Sequence, residues 1–114
     1  MNIGFIGAGH MGSAMIKGLL NASFVSPEQL FVKGGSSGTA EALQKELGFQ
    51  LMQDYQELKD CQIIFIATGA KIVLEVLKEA APFMAKESIL ISVATGHTVK
   101  EAQAAVGKDI HVVH

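Results

Sequence analysis

The stretch "NIGFIGAGHMG", residues 2–12, decides the fold. Residues 2–6 form a short apolar run that contains two β-branched residues, which predicts a buried strand. Gly7, Gly9 and Gly12 follow in the pattern G-x-G-x-x-G, and apolar residues then recur at helical spacing over residues 10–22. A strand, this glycine pattern and a helix, in that order, are typical of a dinucleotide-binding unit.

The rest of the chain repeats the alternation of strand and helix. Apolar runs predict strands over residues 30–32, 49–52, 63–67, 88–94 and 110–113. Helices are predicted over residues 39–48, 71–84 (broken near Pro82) and 98–107, with a short helical turn over 55–61. This order predicts an α/β fold, a doubly wound parallel sheet of the Rossmann type, as one NAD(P)-binding domain over residues 1–114.

Each glycine of the pattern has a separate expected role. Gly7 permits a tight turn, Gly9 lets a pyrophosphate approach the backbone, and Gly12 allows the helix to pack closely on the strand. The free amides of His10, Met11 and Gly12 then face the pyrophosphate, which the helix dipole favours. We interpret the His10 side chain as solvent-facing or at the cofactor's edge rather than catalytic. The alternative is a purely structural turn without a ligand.

The end of the second strand indicates which dinucleotide is bound. An acid about 20 residues after the fingerprint would hold the ribose 2′-hydroxyl of NAD, but no acid lies between Glu28 and Glu41. The loop offers a cation, hydroxyls and backbone amides instead, which suit a 2′-phosphate: Lys33, Gly34, Gly35, Ser36 and Ser37. NADP (NADPH) is therefore favoured over NAD, although the chain has no arginine to clamp a phosphate. The alternative is an ordinary flexible loop.

Two further strand ends are expected to contact the cofactor, because ligands of such sheets lie outside the carboxyl ends of the strands. The small residues there would leave room for the nicotinamide ribose: Ala67, Thr68 and Gly69 after one strand, and Ala94, Thr95 and Gly96 after the next. His97 could be a ligand or proton donor, but a polar residue leading into a helix is the simpler interpretation. Thr98 has Glu101 three residues later, the spacing of a capping box.

The remaining side chains that could carry chemistry have simpler interpretations. Tyr55 and Cys61 are expected to be surface or core residues. The methionines at positions 11, 15, 52 and 84 are expected to fill the core. The sequence therefore indicates no catalytic residue and no metal site.

Composition excludes several classes of protein. Nine lysines against eleven acidic residues, spread singly, give a net charge of −2 and no basic patch for a nucleic acid. The single cysteine, Cys61, excludes a disulfide within the chain and fits a cytoplasmic location. No apolar stretch approaches the ~20 residues of a membrane span, so no membrane partner is expected.

Four segments together resemble the N-terminal cofactor domain of pyrroline-5-carboxylate reductases. They are "MNIGFIGAGHMGSAMIKGLL" (1–20), "GGSSGTAEAL" (34–43), "CQIIFIATGAKIVLEVL" (61–77) and "ILISVATGHTVKEAQAAVG" (89–107). The resemblance implies an oxidoreductase of proline biosynthesis that reduces a cyclic imine, a small molecule, with NAD(P)H. Because the cofactor carries that chemistry, no side chain of this domain need act as an acid or base.

The resemblance also assigns cofactor contacts to individual residues. It implies that the pyrophosphate lies against Ala8, Gly9, His10, Met11 and Gly12. It implies the 2′-phosphate at Ser36 and Ser37, and the nicotinamide ribose between Ala67 and Thr68 on one side and Ala94 and Gly96 on the other.

The chain departs from the family's pattern at three places. Thr68, Gly69 and Ala70 replace Val-Lys-Pro, and Thr95 replaces an alanine. His114 stands where the family has an arginine, and the family's C-terminal helical domain, which supplies dimer contacts and much of the imine site, has no counterpart here. We therefore expect the chain to bind cofactor without turning over, and to self-associate weakly, as a possible homo-oligomer, through residues 110–113.

Two other functions stay open at this point. The departures at residues 68–70 and the missing helical domain favour a non-enzymatic NADP-binding module that regulates a partner. Another reductase that shares this architecture, such as a hydroxyacid dehydrogenase or a deazaflavin-linked NADP reductase, is the third possibility, because the fold does not choose the substrate.

Overall fold

Six strands form one parallel sheet in the computed structural model, which describes residues 1–34, 38–69, 71–93 and 98–113. They are β1 (Ile3–Ile6), β2 (Leu30–Lys33), β3 (Gln50–Leu51), β4 (Ile63–Ile66), β5 (Ile89–Ser92) and β6 (His111–Val113). The spatial order is β3-β2-β1-β4-β5-β6, and every neighbouring pair is parallel. This is the doubly wound order, so the predicted fold class is confirmed.

Helices connect the strands much as the periodicity predicts. They are α1 (His10–Asn21), α2 (Thr39–Leu47), α3 (Val73–Ala80) and α4 (Val99–Val106), with short 3-10 helices at Pro27–Gln29, Gln56–Asp60 and Ala81–Phe83. Gly48 ends α2 in the left-handed conformation, with φ of 81°. The predicted break near Pro82 is confirmed, because α3 ends at Ala80 and the proline lies in the following 3-10 helix.

The sheet separates two hydrophobic cores, because side chains alternate between its faces along each strand. Ile3 and Phe5 of β1 pack in one core with α1 and α2, and the Phe5 ring stacks on Phe65 with centroids 4.9 Å apart. Ile6 packs in the other core with α3 and α4. All four residues of β1 are buried, so this strand lies at the centre of the molecule.

The rotation of α1 differs from the prediction. Ile16 is fully buried and Met15 is half-buried, but Met11 is 57% exposed, so the expectation that Met11 fills the core is wrong. The physical reason is the packing of Gly12. The first turn of α1 places Gly12 against the segments that follow β1 and β4, and this orientation of the helix turns Met11 outward. Met52 and Met84 are buried in the core as predicted.

Cys61 is a core residue. Its side chain is 1% exposed, and a Cβ added at Gly4 would lie 3.3 Å from its sulfur atom. Burial raises the pKa of the Cys61 thiol to about 12, and the carboxylates of Asp60 and Glu57 add to the effect. The thiol is therefore protonated and poorly nucleophilic at neutral pH.

One face of the sheet is left partly bare at β5 and β6. Right-handed crossovers carry α3 and α4 to the opposite face, where Leu90 is fully buried. Ile89 and Val113 point the other way and are 37% and 49% exposed. None of the helices in the described ranges combines the length and the apolar character that a membrane span requires.

The first turn of α4 is held by a capping box at Thr98, as the spacing predicts. The Glu101 amide donates to the Thr98 hydroxyl oxygen at 3.0 Å, and the Thr98 amide donates to the Glu101 carboxylate at 2.9 Å. We expect Thr98→Ala to lower the free energy of unfolding by about 1 kcal/mol, because one helix amide loses its acceptor. Urea denaturation measures the change. Thr98→Ser keeps the hydroxyl and should unfold like the parent, and equal losses for both variants would contradict the capping role.

Candidate cofactor site

The strand order reverses between β1 and β4, and the candidate site lies at the carboxyl ends of these two strands. The Ala67 amide donates to the Ile6 carbonyl oxygen at 2.8 Å, which brings the segments after β1 and β4 together. Between them is an open cavity of about 210 Å³. Its lining comes from both halves of the sheet and consists of Gly7, Ala8, Gly9, Thr39, Ala40, Ala67, Thr68, Gly69 and Ile72. Such a crevice is where ligands of open α/β sheets bind.

Gly7 makes the turn out of β1. Its φ is +97°, a left-handed conformation that side chains rarely adopt, and an added Cβ would lie 2.7 Å from the Ala67 carbonyl oxygen. Its amide donates to the Lys33 carbonyl oxygen at 2.8 Å, which fixes the turn against β2. The predicted structural role of Gly7 is confirmed.

Gly12 lets α1 approach the strands. An added Cβ would lie 2.8 Å from the Gly7 carbonyl oxygen and 3.4 Å from the Ala67 Cβ. The start of α1 can therefore lie against the turn only because residue 12 has no side chain. The predicted packing role of Gly12 is confirmed.

Gly9 has a different environment from the other two glycines. It is the N-cap of α1, and among the described residues a Cβ added there would have no heavy atom within 4 Å apart from its two neighbours in the chain. Open space therefore lies beside the backbone at this position, where the amides that begin a helix have no intrahelical acceptor. The first turn of α1 carries no acidic residue, so nothing in it opposes a bound anion.

Ser13 supports this loop and is a residue that the sequence analysis missed. Its hydroxyl donates to the Ala8 carbonyl oxygen at 2.9 Å, and its amide donates to the Gly9 carbonyl oxygen at 2.7 Å. Both bonds hold the carbonyl groups of the loop toward α1. The position of this serine directly after the last glycine of the pattern is the one available signal, but that position alone does not predict these two bonds.

The end of β2 forms one side of the site. Lys33 is half-buried, and its Nζ lies 5.3 Å from the centroid of the Tyr55 ring. A Cβ at Gly34 would overlap the Ala40 Cβ, so this glycine allows α2 to pack against the end of the strand. The predicted phosphate-loop residues 35–37 lie outside the described residues.

A second, smaller cavity of about 160 Å³ adjoins the first and shares Gly7, Thr68 and Ile72 with it. Lys33 and Tyr55 line its other side. The Thr68 hydroxyl oxygen is buried and has no hydrogen-bond partner among the residues that the structure describes. Buried polar atoms normally have a partner, so a ligand or water molecule would satisfy this one.

The other predicted site residues are only partly described. Ala8, Ala67 and Thr68 line the larger cavity. Met11 lies in the first turn of α1 and is not among the residues that line it. Ala94 and Gly96, together with Thr95 and His97, lie outside the described residues, as does the side chain of His10. In the described part of the chain, no three His, Cys, Asp or Glu side chains are grouped to hold a metal ion.

Comparison with known proteins shows which family and which relatives this chain is similar to. Residues 2–96 match the model of the family described as NADP oxidoreductase, coenzyme F420-dependent. Over 112 residues the chain is 34% identical to a pyrroline-5-carboxylate reductase of Escherichia coli, and the match covers 97% of the chain but 42% of that protein. The chain therefore spans less than half the length of this relative.

Solved structures agree with the fold. A pyrroline-5-carboxylate reductase from Coxiella burnetii superposes with a TM-score of 0.87 at 23% identity, covering 97% of this chain and 42% of that one. The pyrroline carboxylate reductase of Plasmodium falciparum, determined with NADP bound, superposes with a TM-score of 0.79 at 30% identity. That match covers 96% of this chain and 40% of the other.

Proposed function

The chain belongs to the family of NADP oxidoreductases described as coenzyme F420-dependent, and on that premise we propose that it is the NADP-binding domain of an imine reductase that acts on 1-pyrroline-5-carboxylate. The observation that carries the proposal is the cavity where the strand order reverses, with the glycine turn after β1 as one wall and Ala67–Gly69 as the other. The identity of 34% to a pyrroline-5-carboxylate reductase over nearly the whole chain supports this substrate.

We propose that the pyrophosphate binds at the start of α1. The amides of residues 10–12 begin the helix there, and the open space beside Gly9 leaves room for phosphate oxygens close to the backbone. Gly7 and Gly12 would act indirectly, by holding the turn and the helix in place, while Ala8 lines the cavity. Ala67 and Thr68 would lie along the nicotinamide ribose with Ala94 and Gly96. The Thr68 hydroxyl, which has no hydrogen-bond partner in the described part of the chain, supports a polar ligand there.

NADP is the proposed cofactor, in preference to NAD. Lys33, at the end of β2, supplies a positive charge beside the cavity, and the sequence places no acid between Glu28 and Glu41 that would repel a 2′-phosphate. Gly35, Ser36 and Ser37 would add amide and hydroxyl donors. The Plasmodium falciparum relative was determined with NADP, which also supports this choice.

The proposed reaction needs binding and orientation from this domain rather than proton transfer. Bound NADPH supplies a hydride from its nicotinamide ring. The chain's own residues would hold the dinucleotide extended across the sheet edge, with the nicotinamide end near Ala67. For the whole protein we propose imine reduction as a step of proline biosynthesis. We also propose a cytoplasmic location and self-association.

A titration of the chain with NADPH and, separately, with NADH tests the proposal. We expect NADPH to bind about tenfold or more tightly, because a charge-assisted contact to the 2′-phosphate is available to it alone. Replacing Lys33, Ser36 and Ser37 together by alanine should abolish this difference. Lys86→Ala, an exposed lysine before β5 at the opposite edge of the sheet, makes a matched control that removes one positive charge. Failure of both nucleotides to bind would overturn the proposal.

A second candidate is a deazaflavin-linked NADP reductase. The description of the matched family names coenzyme F420, which favours it. The substrate side distinguishes the two candidates, because both would bind NADP in this crevice. Oxidation of NADPH by the protein that contains this domain, followed at 340 nm with 1-pyrroline-5-carboxylate or with coenzyme F420, decides between them.

A further inference from the structure

We propose that Tyr55 is a positioning residue for Lys33 and that the pair sets the preference for NADPH over NADH. The proposal rests on the proposed function, in which the Lys33 ammonium group contacts the 2′-phosphate. Tyr55 follows β3, far from the glycine pattern in sequence. The structure brings its ring to within 5.3 Å of the Lys33 Nζ, measured to the ring centroid.

The backbone fixes where the Lys33 side chain begins. Lys33 is the last residue of β2 and lies in register with Ile6, the last residue of β1. Its carbonyl oxygen accepts the Gly7 amide at 2.8 Å, and the next residue, Gly34, packs against Ala40. The side chain therefore leaves a well-anchored strand end and extends toward the α3 face of the sheet, into the smaller cavity.

Residues other than Lys33 hold the ring of Tyr55 in place. It lies just before the 3-10 helix Gln56–Asp60, and its centroid is 6.2 Å from that of Phe83, which follows α3. The Tyr55 ring is therefore already packed, and the contact with Lys33 does not have to order it. A pre-packed partner costs less conformational entropy than one that is ordered on binding.

The attraction between the two side chains comes from the ring face and not from a phenolate. Burial raises the pKa of the Tyr55 hydroxyl, and the nearby carboxylate of Glu79 raises it further, so the phenol is neutral at physiological pH. A cation over a neutral ring is attracted by the ring's quadrupole. The ring face takes up at most one of the three ammonium N–H groups, so the others stay available to phosphate oxygens.

Holding Lys33 in this way matters more here than in a chain with arginine. Lysine has a flexible four-carbon stem and loses rotamer freedom when its ammonium group is fixed on a phosphate. The chain has no arginine, so a pre-organised guanidinium cannot replace it. A ring that restricts the lysine before the cofactor arrives lowers this entropic cost only for the nucleotide that carries a 2′-phosphate.

The test is the ratio of NADPH to NADH affinity, measured by titration calorimetry on the chain and on four variants. Lys33→Ala should lower the ratio about tenfold or more, as expected for loss of a charge-assisted contact. Tyr55→Leu should lower it about two- to fivefold, the range of a partly exposed cation–π pair. Tyr55→Phe keeps the ring and should leave the ratio unchanged. The double variant Lys33→Ala/Tyr55→Leu should match Lys33→Ala alone.

The outcomes separate this inference from the proposed function. The inference is overturned if Lys33→Ala lowers the NADPH to NADH affinity ratio and Tyr55→Leu leaves it unchanged or raises it. An increase in Tyr55→Leu would mean that the ring competes with the phosphate for the cation. An unchanged ratio in Lys33→Ala overturns the assigned 2′-phosphate contact and the inference with it. Tyr55→Met replaces the leucine variant if thermal unfolding shows that leucine destabilises the chain, and the ratio itself cancels a general loss of folded protein.

Discussion

Gly7→Ala is expected to lower the free energy of unfolding by about 3 kcal/mol or more, enough to unfold much of a marginally stable domain. Two penalties act together at this position. The φ of +97° is unfavourable for any residue with a Cβ, and the added methyl group would lie 2.7 Å from the carbonyl oxygen of Ala67. That oxygen belongs to the backbone after β4, so neither side can move without separating β1 from β4.

Chemical denaturation of Gly7→Ala measures this loss, and Gly9→Ala is the matched control. The control adds the same methyl group two residues away, where φ is −73° and, chain neighbours aside, no heavy atom of the described residues lies within 4 Å. It should unfold within about 1 kcal/mol of the parent, because only a weak N-cap preference changes. Equal stability of both variants would contradict the assignment of Gly7 to the turn.

Gly9→Ala is expected to weaken NADPH binding about tenfold or more while the chain stays folded. Its methyl group would enter the open space at the start of α1, where we propose that the pyrophosphate approaches the backbone. The loss should be similar for NADPH and NADH, since both carry the pyrophosphate. In this respect Gly9→Ala differs from Lys33→Ala, which acts on the 2′-phosphate alone.

Titration calorimetry at matched protein concentration measures the effect, with Gly18→Ala as its control. Gly18 is an exposed position of α1, where an added Cβ has open space. Gly18→Ala should bind NADPH like the parent and unfold slightly less easily, because alanine favours the helix. Parent-like affinity in Gly9→Ala would show that the pyrophosphate does not lie at this turn.

Much of this fold follows from local patterns in the sequence. Residues 63–67 predict β4 because a continuous apolar run indicates a strand buried on both faces, and the structure forms it at Ile63–Ile66. Gly48 and Pro82 mark helix ends by backbone chemistry that does not depend on tertiary contacts. The weak strand at 49–52 shrinks to Gln50–Leu51, because an edge strand has a partner on one side only.

The site was less predictable, because it depends on contacts between distant segments. The glycine pattern requires a particular backbone geometry, so the structural roles of Gly7 and Gly12 could be predicted from the spacing of the glycines. The exposure of Met11 did not, since helical periodicity cannot show which of two adjacent apolar stripes faces the sheet. Tyr55 reaches Lys33 only through the pairing of β2 with β3 and the turn that follows, and no local signal encodes that meeting.

The partly bare face at β5 and β6 makes mutational tolerance alternate along a single strand. Leu90 is sealed beneath α3 and α4, so a polar replacement there would bury an unsatisfied group. Ile89, one residue earlier, already meets solvent over 37% of its surface and can exchange for threonine in this chain at little cost. Tolerance of substitutions along β5 of this chain should therefore alternate with a period of two residues, whereas β1 is buried along its whole length and should tolerate few substitutions at any position.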